Sequence, residues 1–263
     1  NLERLALGLK NKELVSYVLK GLREGFRSGY QGRTDIAKNW SEPEESKQIL
    51  SVKVKTMEKF RDLGCAIGPF DREPFPNLIN GNQPLVWRSF GIPKDSWART
   101  PEEAEVEGYR MIVDASFPRY NCLNSHVPRN NSGHEYHHFA KFANKLCKCG
   151  KGSLIMLLDI KNCFPQFMMH PTEWSHQLIQ VGSKYWVWPG GMLGSKYAGD
   201  IADCFTRVIC DILIEKFNMP NIDVYVDNFE YVVPPLRNGK PDFDKAQKAW
   251  DVLNNVTIKE VNM

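Results

Sequence analysis

Apolar positions along this chain follow two different periods, and the switches between them mark out its elements. Leu14, Val15, Val18, Leu19 and Leu22 recur at three- and four-residue steps, the spacing that lines one face of a helix. Ser41 and Glu44, with Pro43 in the first turn, form a capping box. It predicts a helix that turns Ile49, Val52, Phe60 and Leu63 inward and stops at Gly64. Residues 64–101 are dense in glycine and proline and predict short strands and turns. Residues 109–113 predict a strand, and 134–145 a helix on polar ground. Residues 154–159 predict a buried strand with a charged end. Ser195 then caps a long helix whose stripe is Ala198, Ile201, Ala202, Phe205, Val208, Ile209, Ile212 and Leu213. Residues 224–226 and 229–233 predict two strands joined by Asp227-Asn228 as a two-residue turn. Phe243, Ala246, Trp250 and Leu253 mark a last helix. No segment repeats another. The succession is an α+β pattern, a mostly antiparallel sheet with helices on one face.

Composition narrows the class without changing this picture. The chain has 263 residues, 42% hydrophobic and 25% charged, close to an ordinary globular protein of one or two domains. The longest apolar run, residues 154–158, is far short of the roughly 20 residues that span a membrane. Charges break the N-terminal segment every few residues, so it does not read as a signal peptide. Seven irregularly spaced cysteines in a chain long enough to bury a core predict reduced thiols and an intracellular place. Net charge is +3, unevenly spread. Residues 119–151 hold six basic side chains against the single acid Glu135, whereas residues 223–263 hold five basic against seven acidic. A basic first half with an acidic later segment suits a polyanion held near a metal site. Solvated helix faces account for the same distribution.

Two carboxylates stand out. Asp159 closes the apolar run LIMLL, and Asp227 sits at a hairpin tip in VYVDNF. A carboxylate at the end of a buried strand is costly unless something pairs with it. Two brought together repel each other, which a divalent cation relieves. Oxygen ligands without softer partners suit Mg²⁺ or Mn²⁺ rather than zinc. Between them lies PGGMLGS, residues 189–195, directly before the long helix. Glycines there let backbone approach a flat ligand, and a helix N-terminus favours phosphate.

The ordered series Asp159, then Pro189-Gly190-Gly191, then Tyr225-Val226-Asp227-Asn228 resembles motifs A, B and C of reverse transcriptases. Residues 14–32, 63–78 and 109–124 are similar to the region upstream of these motifs in tyrosine-recombinase retrotransposons, the DIRS and Ngaro groups. The resemblance spans about residues 14–233. It implies a right-hand polymerase, with a fingers-like region over residues 1–150 and a palm over 151–263. It implies two-metal nucleotidyl transfer with Mg²⁺ or Mn²⁺ as cofactor. Asp159 and Asp227 match the metal-binding aspartates, with the Ile160 carbonyl as a further ligand. Phe164 matches the aromatic gate against a ribose 2′-hydroxyl. Arg110 matches the fingers arginine on the incoming triphosphate, and Lys94 a fingers lysine. Pro189, Gly190 and Gly191 match the turn under the nucleotide, where many relatives carry a larger residue in place of Gly190. Tyr225 matches the tyrosine beside the primer end. Asn228 stands where the family usually carries a second acid; it keeps an oxygen acceptor but no charge. The implied partners are an RNA or DNA template–primer, dNTPs and other domains of a larger polyprotein, with no membrane. No thumb, RNase H or recombinase motif follows.

Asn228 and Gly190 also fit a catalytically silent descendant that binds nucleic acid as a scaffold. An RNA-dependent RNA polymerase is a third reading, against which Phe164 argues. Cys122, His126, His134, His137, His138, Cys147 and Cys149 crowd one stretch, but their spacing departs from common structural zinc sites. Gly150-Lys151-Gly152-Ser153 lacks the spacing of a phosphate-binding P-loop. Trp174, Trp186 and Trp188 are candidates either for base stacking or for core packing.

Overall fold

The computed structural model describes residues 2–32, 45–75, 84–93, 109–117, 122–128 and 139–255. Ser41, Glu44, Lys94, His134, His137 and His138 fall outside them. The fold is α+β, and the chain divides into two compact units that interleave along the sequence: residues 1–23, 132–163 and 199–263 form one, and residues 24–131 and 164–198 the other.

The first unit is built on a three-stranded antiparallel sheet. β5 (Leu154–Asp159), β9 (Asn228–Val233) and β8 (Ile222–Tyr225) lie side by side with β9 in the middle. Phe229, Tyr231 and Val233 of β9 are buried, as are Ile222 and Val224 of β8. β5 is not the fully buried strand that its apolar run predicts. Its residues alternate, and Ile155 and Leu157 are 48% and 65% exposed on the face that also carries Asp159. An edge strand with a two-residue period has one wet face, whatever its composition.

The long helix α6 (Lys196–Phe217) buries every member of its predicted stripe. Each large apolar side chain removed from water there contributes about 1.5–3 kcal/mol. Asp223 of β8 is buried between Lys145 Nζ of α5 (Phe139–Cys149), at 3.0 Å, and Arg207 Nη1 of α6, at 3.5 Å, so its charge is paired. The unit also holds α1 (Leu2–Ala6), α2 (Lys12–Glu24) and α7 (Phe243–Asn254). α7 turns Ala249 and Leu253 inward and leaves Phe243 largely exposed.

The second unit holds a four-stranded sheet in the order β1 (Ile67–Phe70), β7 (Lys184–Val187), β6 (Leu178–Val181), β2 (Val86–Trp87), and a two-stranded ribbon of β3 (Ser89–Pro93) and β4 (Tyr109–Val113). β2 and β6 run parallel; the other pairs are antiparallel. α3 (Lys47–Asp62) takes Ser46 as its N-cap, whose Oγ accepts from the Ile49 N–H. It buries the predicted Phe60 together with Lys53 and Met57, half-buries Ile49 and Val52, and leaves Leu63, its C-cap, 57% exposed, so the inward face includes a lysine the prediction did not place there. The Lys53 ammonium reaches Glu45 at 2.7 Å and the Ser89 carbonyl at 2.8 Å. A paired lysine can occupy a core position that an apolar count assigns elsewhere. Gly64 ends the helix with φ +75°, as expected of a residue just past the C-cap. α4 (Leu123–His126) and two short 3₁₀ turns, Phe164–Gln166 and Pro171–His176, complete the unit.

Trp186 and Trp188 are buried and belong to the packing, with Trp188 4.8 Å from the Phe60 ring. His176 is 8% exposed, its ring 4.9 Å from that of Tyr30. Burial pushes the His176 pKa down, against the opposing charge of Glu173. The unfolded chain therefore binds this proton more readily than the folded one, so stability is present above the free-histidine pKa of about 6.5 and is lost as pH falls below it. Thermal midpoints are expected to fall between pH 7 and pH 5.5, with a shallower fall in His176→Gln. Equal slopes for the two proteins would remove His176 as the cause.

Candidate active site

The first cluster is made by sheet register. Asp159 is the last residue of β5 and pairs with Asn228, which pairs in turn with Tyr225. These three therefore form a row across the sheet end. The hairpin turn is Val226-Asp227, one residue earlier than the predicted Asp227-Asn228. Val226 takes φ +56°, the first-position signature of a two-residue turn that usually has glycine there. The turn carries Asp227 to the end of β5, where the Ile160 N–H donates to the Asp227 carbonyl at 3.1 Å. Asp159, Ile160, Tyr225, Asp227 and Asn228 are thus brought together within one unit.

The two carboxylates also influence each other and their neighbour electrostatically. Burial, and then the charge of Asp159, hold the Asp227 carboxyl above the usual carboxylate range. The buried thiol of Cys163 is pushed up by burial and by the negative charges of Asp227 and Asp159. Asn228 Nδ2 donates to Asp227 Oδ1 at 3.1 Å, so the amide that replaces an acid turns toward its neighbour's carboxylate.

This donor set fits a hard divalent cation: two carboxylates, the Ile160 carbonyl and no sulfur or imidazole that needs to take part. Burial chiefly, and the neighbouring Asp159 charge after it, disfavour the ionised Asp227 carboxylate, and a divalent ion bound between the two would favour it. Among the described residues no group of three or more His, Cys, Asp or Glu is arranged to hold a metal. That result extends to Cys122, His126, Cys147 and Cys149. None of the seven cysteines forms a disulfide.

The second cluster lies in the other unit. Pro189, Gly190 and Gly191 are buried and stitched to the segment that begins with Phe164. The Gly191 N–H donates to the Phe164 carbonyl at 3.1 Å, and the Met169 N–H to the Pro189 carbonyl at 2.7 Å. A Cβ on Gly190 would stand 2.3 Å from the Pro165 oxygen, and one on Gly191 2.6 Å from the Phe164 oxygen. Both positions require glycine because backbone fills the space. Ser195 does not cap α6 in the predicted manner. Its Oγ donates back to the Met192 carbonyl at 2.6 Å, and the Lys196 N–H is met by Asn124 Oδ1 at 2.8 Å. Arg110 lies on β4, opposite Ile92. Lys94 lies outside the described residues.

Solved structures with this architecture are informative. The foamy viral protease-reverse transcriptase dRH, in complex with double-stranded DNA, matches 98% of this chain at a TM-score of 0.56 and 13% identity. The native prototype foamy virus protease-reverse transcriptase matches 97% at a TM-score of 0.53 and 16% identity. The fold is reverse-transcriptase-like. The chain spans 41% and 31% of the length of these two proteins. No family model matches it, and no curated protein does. Among its described residues, no helix of this reverse-transcriptase-like fold is long and apolar enough to cross a membrane.

Sequence reasoning missed three residues around the aspartate pair. Cys163 sits beside both carboxylates. Asp203 and Thr206 of α6 are fully buried and bond the turn that carries Asp227. The signal was partial: Asp203 and Thr206 lie among the apolar stripe residues Ala202, Phe205 and Ile209, and polar groups buried there need partners.

Proposed function

We propose that this chain is the polymerase portion of an RNA-directed DNA polymerase, a reverse transcriptase that joins dNTPs to a primer 3′-hydroxyl on a nucleic-acid template. The observation that carries the reading is the meeting of Asp159 and Asp227 at one sheet end, within a reverse-transcriptase-like fold. Asp159, Asp227 and the Ile160 carbonyl are the groups that would hold two Mg²⁺ or Mn²⁺ ions. When bound, such ions supply Lewis acidity toward the primer hydroxyl and charge relief for the pyrophosphate leaving group. The Arg110 guanidinium neutralises triphosphate charge as a fork of donors. The Phe164 ring excludes a ribose 2′-hydroxyl, the group that separates ribo- from deoxynucleotides. The Pro189-Gly190-Gly191 turn, packed on the segment that begins with Phe164, would set the floor under the base and sugar. Tyr225, in the same sheet row as Asp159 and Asn228, would stand beside the primer end. In this reading residues 1–150 act as fingers and 151–263 as palm. The affinity of residues 14–32, 63–78 and 109–124 to tyrosine-recombinase retrotransposons supports a place within a larger polyprotein.

Primer extension on a poly-ribonucleotide template, with Mg²⁺ and then Mn²⁺, tests the proposal. Incorporation of dNTPs is expected, with rNTPs disfavoured by on the order of 100-fold, the discrimination a pocket shaped against one group achieves. Binding of template–primer without extension under either metal would instead support the silent scaffold, which the Asn228 amide favours by leaving the site one charge short. A preference for rNTPs would point to an RNA-dependent RNA polymerase.

A further inference from the structure

The turn that carries Asp227 is held in a conformation its sequence disfavours. Val226 is β-branched and takes φ +56°, a left-handed conformation that strains a β-branched residue. The bonds that hold it there come from α6. The Val226 N–H donates to Asp203 Oδ1 at 3.0 Å, and the Val226 carbonyl accepts from Thr206 Oγ1 at 2.6 Å. Thr206 Oγ1 also lies 2.9 Å from the Ala202 carbonyl and 3.2 Å from that of Asp203. A hydroxyl has one proton, and the shortest of the three contacts is the one to Val226. Asp203 and Thr206 are three residues apart on one helix, which places them on one face, and neither is exposed to solvent. Both polar groups of the strained residue are therefore gripped by one rigid element.

We infer that Asp203 and Thr206 are positioning residues that clamp the Val226-Asp227 turn and so aim the Asp227 carboxylate at the divalent ion. The inference rests on the metal role proposed above for Asp227. A buried carboxylate is expensive, and its bond to a strained amide is the return on that expense. Neither residue touches a substrate. They act through the turn, whose position relative to β5 decides whether Asp159 and Asp227 can share an ion.

The test uses the whole chain and two readouts other than activity. Thr206→Val removes the donor at nearly constant shape, and Thr206→Ser keeps it. Mn²⁺ affinity, read by electron paramagnetic resonance titration, is expected to fall about tenfold in Thr206→Val, as for loss of a group that orients a metal ligand. It should stay within about twofold of wild type in Thr206→Ser. Hydrogen exchange at the amides of Val226 and Asp227 should speed up in Thr206→Val alone. Glycine adopts positive φ without strain, so Thr206→Val should cost less than about threefold in Mn²⁺ affinity when placed on Val226→Gly. Unchanged Mn²⁺ affinity or unchanged turn exchange in a folded Thr206→Val protein overturns the clamp, as does an equal loss in the Val226→Gly background. A wild-type chain that binds Mn²⁺ but extends no primer overturns the polymerase reading instead, and the clamp is then judged on affinity and exchange.

Discussion

Asp159→Asn and Asp227→Asn are each expected to abolish primer extension while leaving template–primer affinity within about twofold. The substitution keeps size and an oxygen acceptor but removes a unit of charge. Metal assistance to charge developing in a transition state is worth several kcal/mol, and each 1.36 kcal/mol is a factor of ten in rate. Extension should therefore drop by roughly three decades or more. Template affinity comes mainly from basic groups on phosphates, which neither substitution touches. Removal of the Asp159 charge should also bring the Asp227 pKa back toward the ordinary carboxylate value, since that charge is one of the two causes holding it up. Extension rates measured beside a filter-binding or anisotropy titration check both halves. Wild-type extension by either variant would remove the pair from catalysis.

Gly190→Gln is expected to destabilise the chain rather than to restore a larger residue common in relatives. The added Cβ would stand 2.3 Å from the Pro165 oxygen and 2.9 Å from its carbonyl carbon. Both are backbone atoms, held by the bond from the Gly191 N–H to the Phe164 carbonyl next door. Room can come only from moving that segment. Overpacking of this kind costs about 1–3 kcal/mol, and more where backbone must move. For a chain of this size the upper figure corresponds to a fall of about 6–12 °C in melting temperature. Because the displaced segment begins with Phe164, any extension activity should fall as well. A melting temperature within a degree or two of wild type would show that the segment yields easily. Gly190 therefore has a packing reason to be glycine, which takes it away from the case for a decayed enzyme and leaves that case to Asn228 alone.

Element types were legible wherever one period dominated. The α6 stripe has a helical period across several turns, and all eight of its members are buried. The strands at 109–113 and 154–159 appear with the expected bounds. What went astray were questions of facing and register. The apolar run at 154–158 gives no sign that every second residue meets water, because composition cannot distinguish a central strand from an edge strand. The hairpin turn moved by one residue because Val226, the least turn-like residue of VYVDNF, takes the turn position, and the bonds that force it there come from residues 203 and 206. The α3 face takes in Lys53 because its ammonium finds Glu45 and the Ser89 carbonyl, and the second of these, 36 residues away, is invisible to periodicity.

For the candidate site, the order of motifs in the chain was enough to nominate Asp159, Pro189-Gly190-Gly191 and Asp227, since the kinds of side chain and their local turns are written in consecutive residues. Tertiary structure alone decided that β9 lies between β5 and β8, which brings the Asp227 turn to the end of the Asp159 strand. It alone decided that Asp203 and Thr206 grip Val226, and that the carbonyls of Phe164 and Pro165 leave no room for side chains at positions 190 and 191. Local sequence sets which conformations a short stretch can adopt. Contacts between residues far apart in the chain choose among them, because only burial and hydrogen bonding at a distance can offset the strain of a β-branched residue at positive φ or the cost of a buried carboxylate.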